Sequence, residues 1–157
     1  MYLDEKMEQL LSAEKVTVVR QSVEGFSGLL VRKVDLALAF VNDQLDRRKM
    51  AVILAEELGH LLTSMGDTVR IDDHRKIGRA EERAIRKAIE ILVKPEDLIE
   101  SITHGVRNWY DLADRLDLPE DFLRKAVEVW TLTIGPCYVS GKNLLWFDPR
   151  RNRPRLA

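Results

Sequence analysis
The chain has 157 residues, 45% of them hydrophobic and 32% charged, with 25 Lys and Arg against 26 Asp and Glu for a formal net charge of -1. A chain of this size and composition buries a core as one domain or two small lobes. Its charge balance excludes a global pull toward nucleic acid or an anionic membrane.

The first residues, Met1 to Lys6, lack the basic and apolar regions of a signal peptide. No apolar run approaches the ~20 residues of a membrane span. A cytoplasmic protein with no membrane partner is therefore expected. Residues 3–12 read as a short helix, with Leu3, Met7, Leu10 and Leu11 on one stripe. Three strand candidates follow, at 16–23, 29–33 and 36–42, with turn chemistry at Glu24-Gly25-Phe26-Ser27-Gly28. Their close spacing predicts a small antiparallel sheet or meander.

Asn42-Asp43 offers an N-cap for a helix over 44–64, whose apolar stripe is Met50, Ile53, Leu54, Leu58, Leu61, Leu62 and Met65. Gly66 is the expected C-cap. Residues 67–78 are polar and read as a loop, with a short strand over 68–71. A second long helix covers 79–93 and stops at Pro95. The last third reads as helices over 95–103, 109–116 and 119–133, with Pro119 at N1, and then a hairpin pairing 138–139 with 144–147 around Ser140-Gly141-Lys142-Asn143. Cys137, the one cysteine, excludes an internal disulfide and suits a reducing compartment. The basic tail Arg150, Arg151, Arg153, Arg155 reads as a solvated terminus.

The chemistry concentrates in Ala55-Glu56-Glu57-Leu58-Gly59-His60. Glu56 and His60 are four apart, so a helix places them on one face a turn apart. That is the ligand spacing of the HExxH zinc motif, with Glu56 in place of the first histidine and Glu57 at the position of the catalytic carboxylate. The apolar flanks make this a core helix, and its carboxylates and histidine need partners, of which a metal is one. A solvated pair of glutamates is the alternative. Gly59 costs ~1 kcal/mol against Ala in a helix interior, which suggests close approach of another element. In the next helix Glu81 shares its register with Ala84, Ile85, Ala88 and Leu92, so it is metal-bound, or an edge carboxylate paired with an arginine.

Residues 53–64, the spacing to Glu81-Glu82-Arg83-Ala84, the preceding strands with Gly28, and Leu112 to Pro119 resemble the ImmA/IrrE metallopeptidases, most of all their phage and mobile-element members. The resemblance covers most of the chain and is most specific over 50–90. It implies a minimal gluzincin-like α+β fold, a small antiparallel sheet beside two metal-binding helices. It implies a metallopeptidase-like core over 1–94 and a helical, helix-turn-helix-like region over 95–157 packed on it as one compact body. It makes His60, Glu81 and the substitute Glu56 the ligands of zinc or another divalent metal, and Glu57 the general base. The implied activity is metal-dependent endoproteolysis of one protein, a phage or mobile-element repressor. Two carboxylates and one imidazole would leave the bound water less acidic than the usual set, so an inactive antirepressor or binding module is the alternative. His74 reads as a loop histidine, with an alternative role as a rescuing ligand. His104 reads as a helix-end residue, with an alternative role in stabilising a tetrahedral intermediate.

A DNA-binding regulator is the third reading, but the helix after Pro119 opens with Glu120-Asp121 and offers only Arg124 and Lys125. Nucleic acid is accordingly not the expected partner. Trp109, Trp130 and Trp146 read as core, with a partner groove as the alternative.

Overall fold
A computed structural model describes residues 1–64, 74–148 and 153–156. The fold is α+β, and the chain divides into two compact units, Met1–Ala88 and Ile89–Ala157. The expected cap at Gly66, the strand over 68–71 and the arginines at 150 and 151 lie outside the described residues.

In the first unit α1 (Leu3–Ala13) is followed by β1 (Thr17–Gln21), β2 (Gly28–Lys33), β3 (Leu36–Asn42) and α2 (Arg47–Thr63). The sheet differs from the expected meander. β2 does pair antiparallel with β3, but β1 pairs parallel with β3 on its other side, giving the order β1-β3-β2. The most apolar strand thus takes the centre, where Ala39 and Val41 are fully buried. α2 packs on β2 and β3, and α1 packs along α2. Met7, Leu11, Leu54 and Ala55 fill this core. Each large aliphatic side chain so buried contributes ~1.5–3 kcal/mol.

Two local expectations shift. Asn42 does not cap α2. Its amide donates to the carbonyls of Val23 and Phe26 at 2.9 and 2.8 Å, tying down the loop between β1 and β2. The cap is Asp46, whose carboxylate accepts from the Lys49 N–H at 3.0 Å. The guanidinium of Arg47 lies over the Tyr2 ring and reaches Asp4 and Glu5 at 3.4 and 3.2 Å, joining the starts of α1 and α2.

α3 (His74–Leu92) begins at His74 rather than near Arg79. Polarity suggests a loop there, but Arg, Lys and Ala are good helix formers and need no buried face to remain helical. α3 runs across the boundary of the two units.

The second unit contains α4 (Pro95–Thr103), α5 (Trp109–Leu116) and α6 (Glu120–Ile134), then β4 (Cys137–Ser140), β5 (Asn143–Asp148) and β6 (Arg153–Leu156). Leu98, Leu118, Leu123 and Leu145 are its fully buried anchors. The tryptophans are not core as expected: Trp109 and Trp130 are half-buried, the Trp130 indole N–H donating to Val93 O at 2.8 Å, and Trp146 is 42% exposed. Pro119 is the N-cap of α6 rather than its first helical residue, with an extended ψ of 141°. The hairpin of β4 and β5 forms as expected, but the tail is not simply a solvated terminus. Its backbone adds β6 antiparallel to β5, with Pro154 opposite Phe147 on an edge strand, where the missing N–H is tolerated.

Candidate functional site
The site is built on the contact of α2 with α3 in the first unit. Gly59 sets the distance. A Cβ placed on it would lie 2.3 Å from the carbonyl oxygen of Ala84 and 3.0 Å from that residue's Cα. Only a residue without a side chain lets the two backbones meet here, as its cost inside a helix foretells. The contact brings His60, one residue on, to Glu81, one turn before Ala84. His60 Nε2 lies 3.3 Å from Glu81 Oε2, with the His60 side chain 19% and the Glu81 side chain 56% exposed. Glu81 is therefore at the rim of the helix contact rather than within it.

Glu56 and Glu57 sit on the preceding turn of α2. Glu57 is 6% exposed and Glu56 is part-buried. Burial, with the charge of Glu81, raises the Glu56 carboxyl from 4.5 to about 7. Burial, then the charges of Glu56 and Glu81, raises Glu57 to about 8, and a hydrogen bond from the Leu30 backbone N–H opposes the rise. Among the described residues, the charges that shift these two groups are carboxylates, which add to the effect of burial. Strand β2 contributes the wall on the other side: a Cβ on Gly28 would lie 2.8 Å from Glu57 Oε1 and 2.4 Å from Ile53 Cγ2.

Of the expected ligands, His60 and Glu81 are thus brought into contact, and Glu56 is near enough to act on Glu81 through its charge. Among the described residues no three His, Cys, Asp or Glu side chains converge into a ready-made metal cage. The donor chemistry nonetheless fits a divalent cation: one imidazole and neighbouring carboxylates, on which, among the described residues, the acting charges are other carboxylates. His74 opens α3 rather than sitting in a loop. His104 lies in the second unit at the end of α4, where Nδ1 is 2.8 Å from Glu100 O, as a helix-end residue would be. Sequence reasoning did not single out Leu30, because a backbone N–H leaves no mark on residue type.

In the second unit the basic residues of α6 are engaged internally. Arg124 pairs with Glu120 at 2.6 Å and lies 4.6 Å over the Trp109 ring, and Lys125 meets Glu128 at 3.4 Å. Among the described residues no helix is long and apolar enough to cross a membrane. Comparison with protein-family models gives no match, and comparison with curated proteins gives none either.

Proposed function
We propose that the chain is a metal-dependent endopeptidase of the ImmA/IrrE kind, acting on one protein, a phage or mobile-element repressor. The observation that carries this reading is the meeting of His60 and Glu81 across two helices, beside two further carboxyls, Glu56 and Glu57, whose proton affinity is raised. His60 and Glu81 are two of the donors that would hold a zinc ion, and Glu56 is the third candidate. Zinc held there would supply Lewis acidity, polarising a scissile carbonyl and making water acidic enough to ionise near neutral pH.

The chain's own part falls to Glu57. Its carboxylate takes a proton from the attacking water, so that oxygen adds to the carbonyl carbon. The same group returns the proton to the amide nitrogen as the C–N bond breaks. A buried carboxyl with a raised affinity for protons is suited to both halves of that cycle, because it accepts a proton readily and holds it away from solvent.

The test is incubation of the zinc-supplied protein with the repressor encoded beside it, with products identified by mass spectrometry, for wild type and Glu57→Gln. Wild type should cut at one site and the variant should be slower by at least about 10²-fold. Equal cutting by both, or none by wild type with metal supplied, refutes the assignment.

A second reading, an antirepressor that binds without cutting, is favoured by one observation. Glu56 stands where the motif has histidine, and no three donors converge among the described residues. Repressor binding by protein lacking stoichiometric metal, with no cleavage, would select it. The DNA-binding reading draws no support from α6, whose Arg124 and Lys125 are committed to Glu120 and Glu128.

A further inference from the structure
We propose that the Gly28–Leu30 segment of β2 is the positioning element for the Glu57 carboxyl, Gly28 by leaving it room and Leu30 by holding it with its backbone N–H. The proposal deepens the hydrolase reading and rests on it for its kinetic consequence, though its structural content is independent of any substrate. Neither residue touches substrate or metal in this role. Both act through Glu57.

Gly28 opens a strand and pairs with Val41. Its φ is not positive, unlike those of Gly25, Gly105, Gly135 and Gly141, so no backbone conformation at this position calls for glycine. A glycine in a strand weakens it and marks a close approach. What approaches is α2, through the Ile53 methyl and the Glu57 carboxyl. An alanine here would clash with both, at 2.4 and 2.8 Å, and the two differ in how they can respond. Ile53 is β-branched and helical, and such side chains have essentially one χ1 rotamer open to them. Glu57 has a longer, unbranched side chain, so the carboxyl is the group that yields.

Leu30 holds the same carboxyl from the strand side. Among the described residues β2 ends its sheet, so alternate backbone groups face away from β3. The N–H of Leu30 has Glu57 as its partner. A glutamate on a helix has three free side-chain torsions. A bond from a strand and a wall two residues earlier remove most of that freedom before any substrate arrives, which is the condition for a general base to work at full rate.

The experiment measures amide hydrogen exchange at Leu30 in the full chain, in wild type, Glu57→Gln, Glu57→Ala, Gly28→Ala and the double variant Gly28→Ala/Ile53→Ala. The double variant relieves the clash with Ile53, so it folds even where Gly28→Ala alone does not, yet it keeps the clash with Glu57. Leu30 should exchange at the wild-type rate in Glu57→Gln, and at least about tenfold faster in Glu57→Ala and in the double variant, while amides of α2 and β3 keep their protection. Unchanged Leu30 protection in Glu57→Ala or in the double variant overturns the proposal, whether or not the protein cleaves anything. In the cleavage assay, the double variant should lose ~10–10²-fold in kcat with KM and zinc content as in Ile53→Ala. A kcat equal to that of Ile53→Ala overturns the kinetic claim. Failure of wild type to cleave refutes the hydrolase reading, and the exchange result still decides the positioning claim.

Discussion
Replacing Glu57 by glutamine should stabilise the metal-free fold at alkaline pH. The Glu57 carboxyl is 6% exposed, and its burial beside Glu56 and Glu81 raises it from 4.5 to about 8. From about 4.5 to about 8 the native state keeps a proton that the unfolded chain releases. Stability therefore falls as pH rises through that window, and the loss is complete only above the native value. At ~1.4 kcal/mol for each pKa step of one, the fall between about pH 5 and about pH 8.5 is about 4 kcal/mol for this group. Glu56, raised to about 7, adds a smaller loss of the same sign that ends near neutrality. His60 and Glu81, on the facing helix surfaces, are further ionisable groups at the site among the described residues. Glutamine keeps the shape and the acceptor oxygen for Leu30 N–H but removes the titration. Urea denaturation at the two pH values, with chelator present, should show the wild type losing about 4 kcal/mol more than Glu57→Gln. An equal loss in both proteins would mean that Glu57 titrates like a solvated carboxylate, and the reasoning about the cluster's charge would fail with it.

Gly59→Ala should destabilise the fold by about 1–3 kcal/mol in urea, because the obstruction is the Ala84 backbone, which cannot rotate aside, and the ~1 kcal/mol gained in helix propensity does not offset it. The same variant should weaken metal binding, since it separates the helices that carry His60 and Glu81. Asp46→Ala should cost ~1 kcal/mol, read as a lower urea midpoint with unchanged slope, through loss of the cap on the Lys49 N–H. Zinc at ~1,000 times its Kd should raise stability by about 4 kcal/mol in thermal melts, reversibly on chelation. His60→Ala should abolish that rise and His104→Ala should preserve it.

Much of the fold was legible because burial leaves a periodic trace in residue type. The helices over 95–103 and 109–116 fall at the expected residues, since Pro95 and Asn108 mark their starts. What was illegible was pairing between strands. Three short apolar runs specify a sheet but not which of them lies in the middle, and the parallel neighbour of β3 is chosen by packing of α1 and α2. The end of β3 misled for a related reason: Asn42 has the chemistry of a helix cap, but a tertiary demand, two loop carbonyls, claimed its amide first. β6 was hidden because four residues with two arginines and a proline read as solvated chain until a strand edge is available to receive them. At the site, helical spacing placed Glu56, Glu57 and His60 together and Gly59 announced a close contact. That Glu81 would meet His60 of another helix could not be read from spacing within α3, where the residues three and four away from Glu81 are Ile77, Gly78, Ala84 and Ile85.

That last choice bears directly on what the cluster is for. A carboxylate cluster kept only for stability at a helix contact gains most by pairing with guanidinium groups, since a buried charge without an opposite partner costs several kcal/mol. This chain has the arginines on the same helix as Glu81, yet the charges that act on Glu56 and Glu57 come from other carboxylates. The raised affinity of both groups for protons comes first from burial and then from the neighbouring carboxylates. Two carboxyls with a raised proton affinity, beside the contact where Gly59 lets the α2 backbone meet α3, are accounted for if positive charge comes from outside the chain. A divalent ion supplies two such charges at once and would engage the imidazole of His60 together with Glu81, its neighbour at 3.3 Å. The hydrolase proposal therefore stands or falls with the metal titration of His60→Ala before any substrate is found.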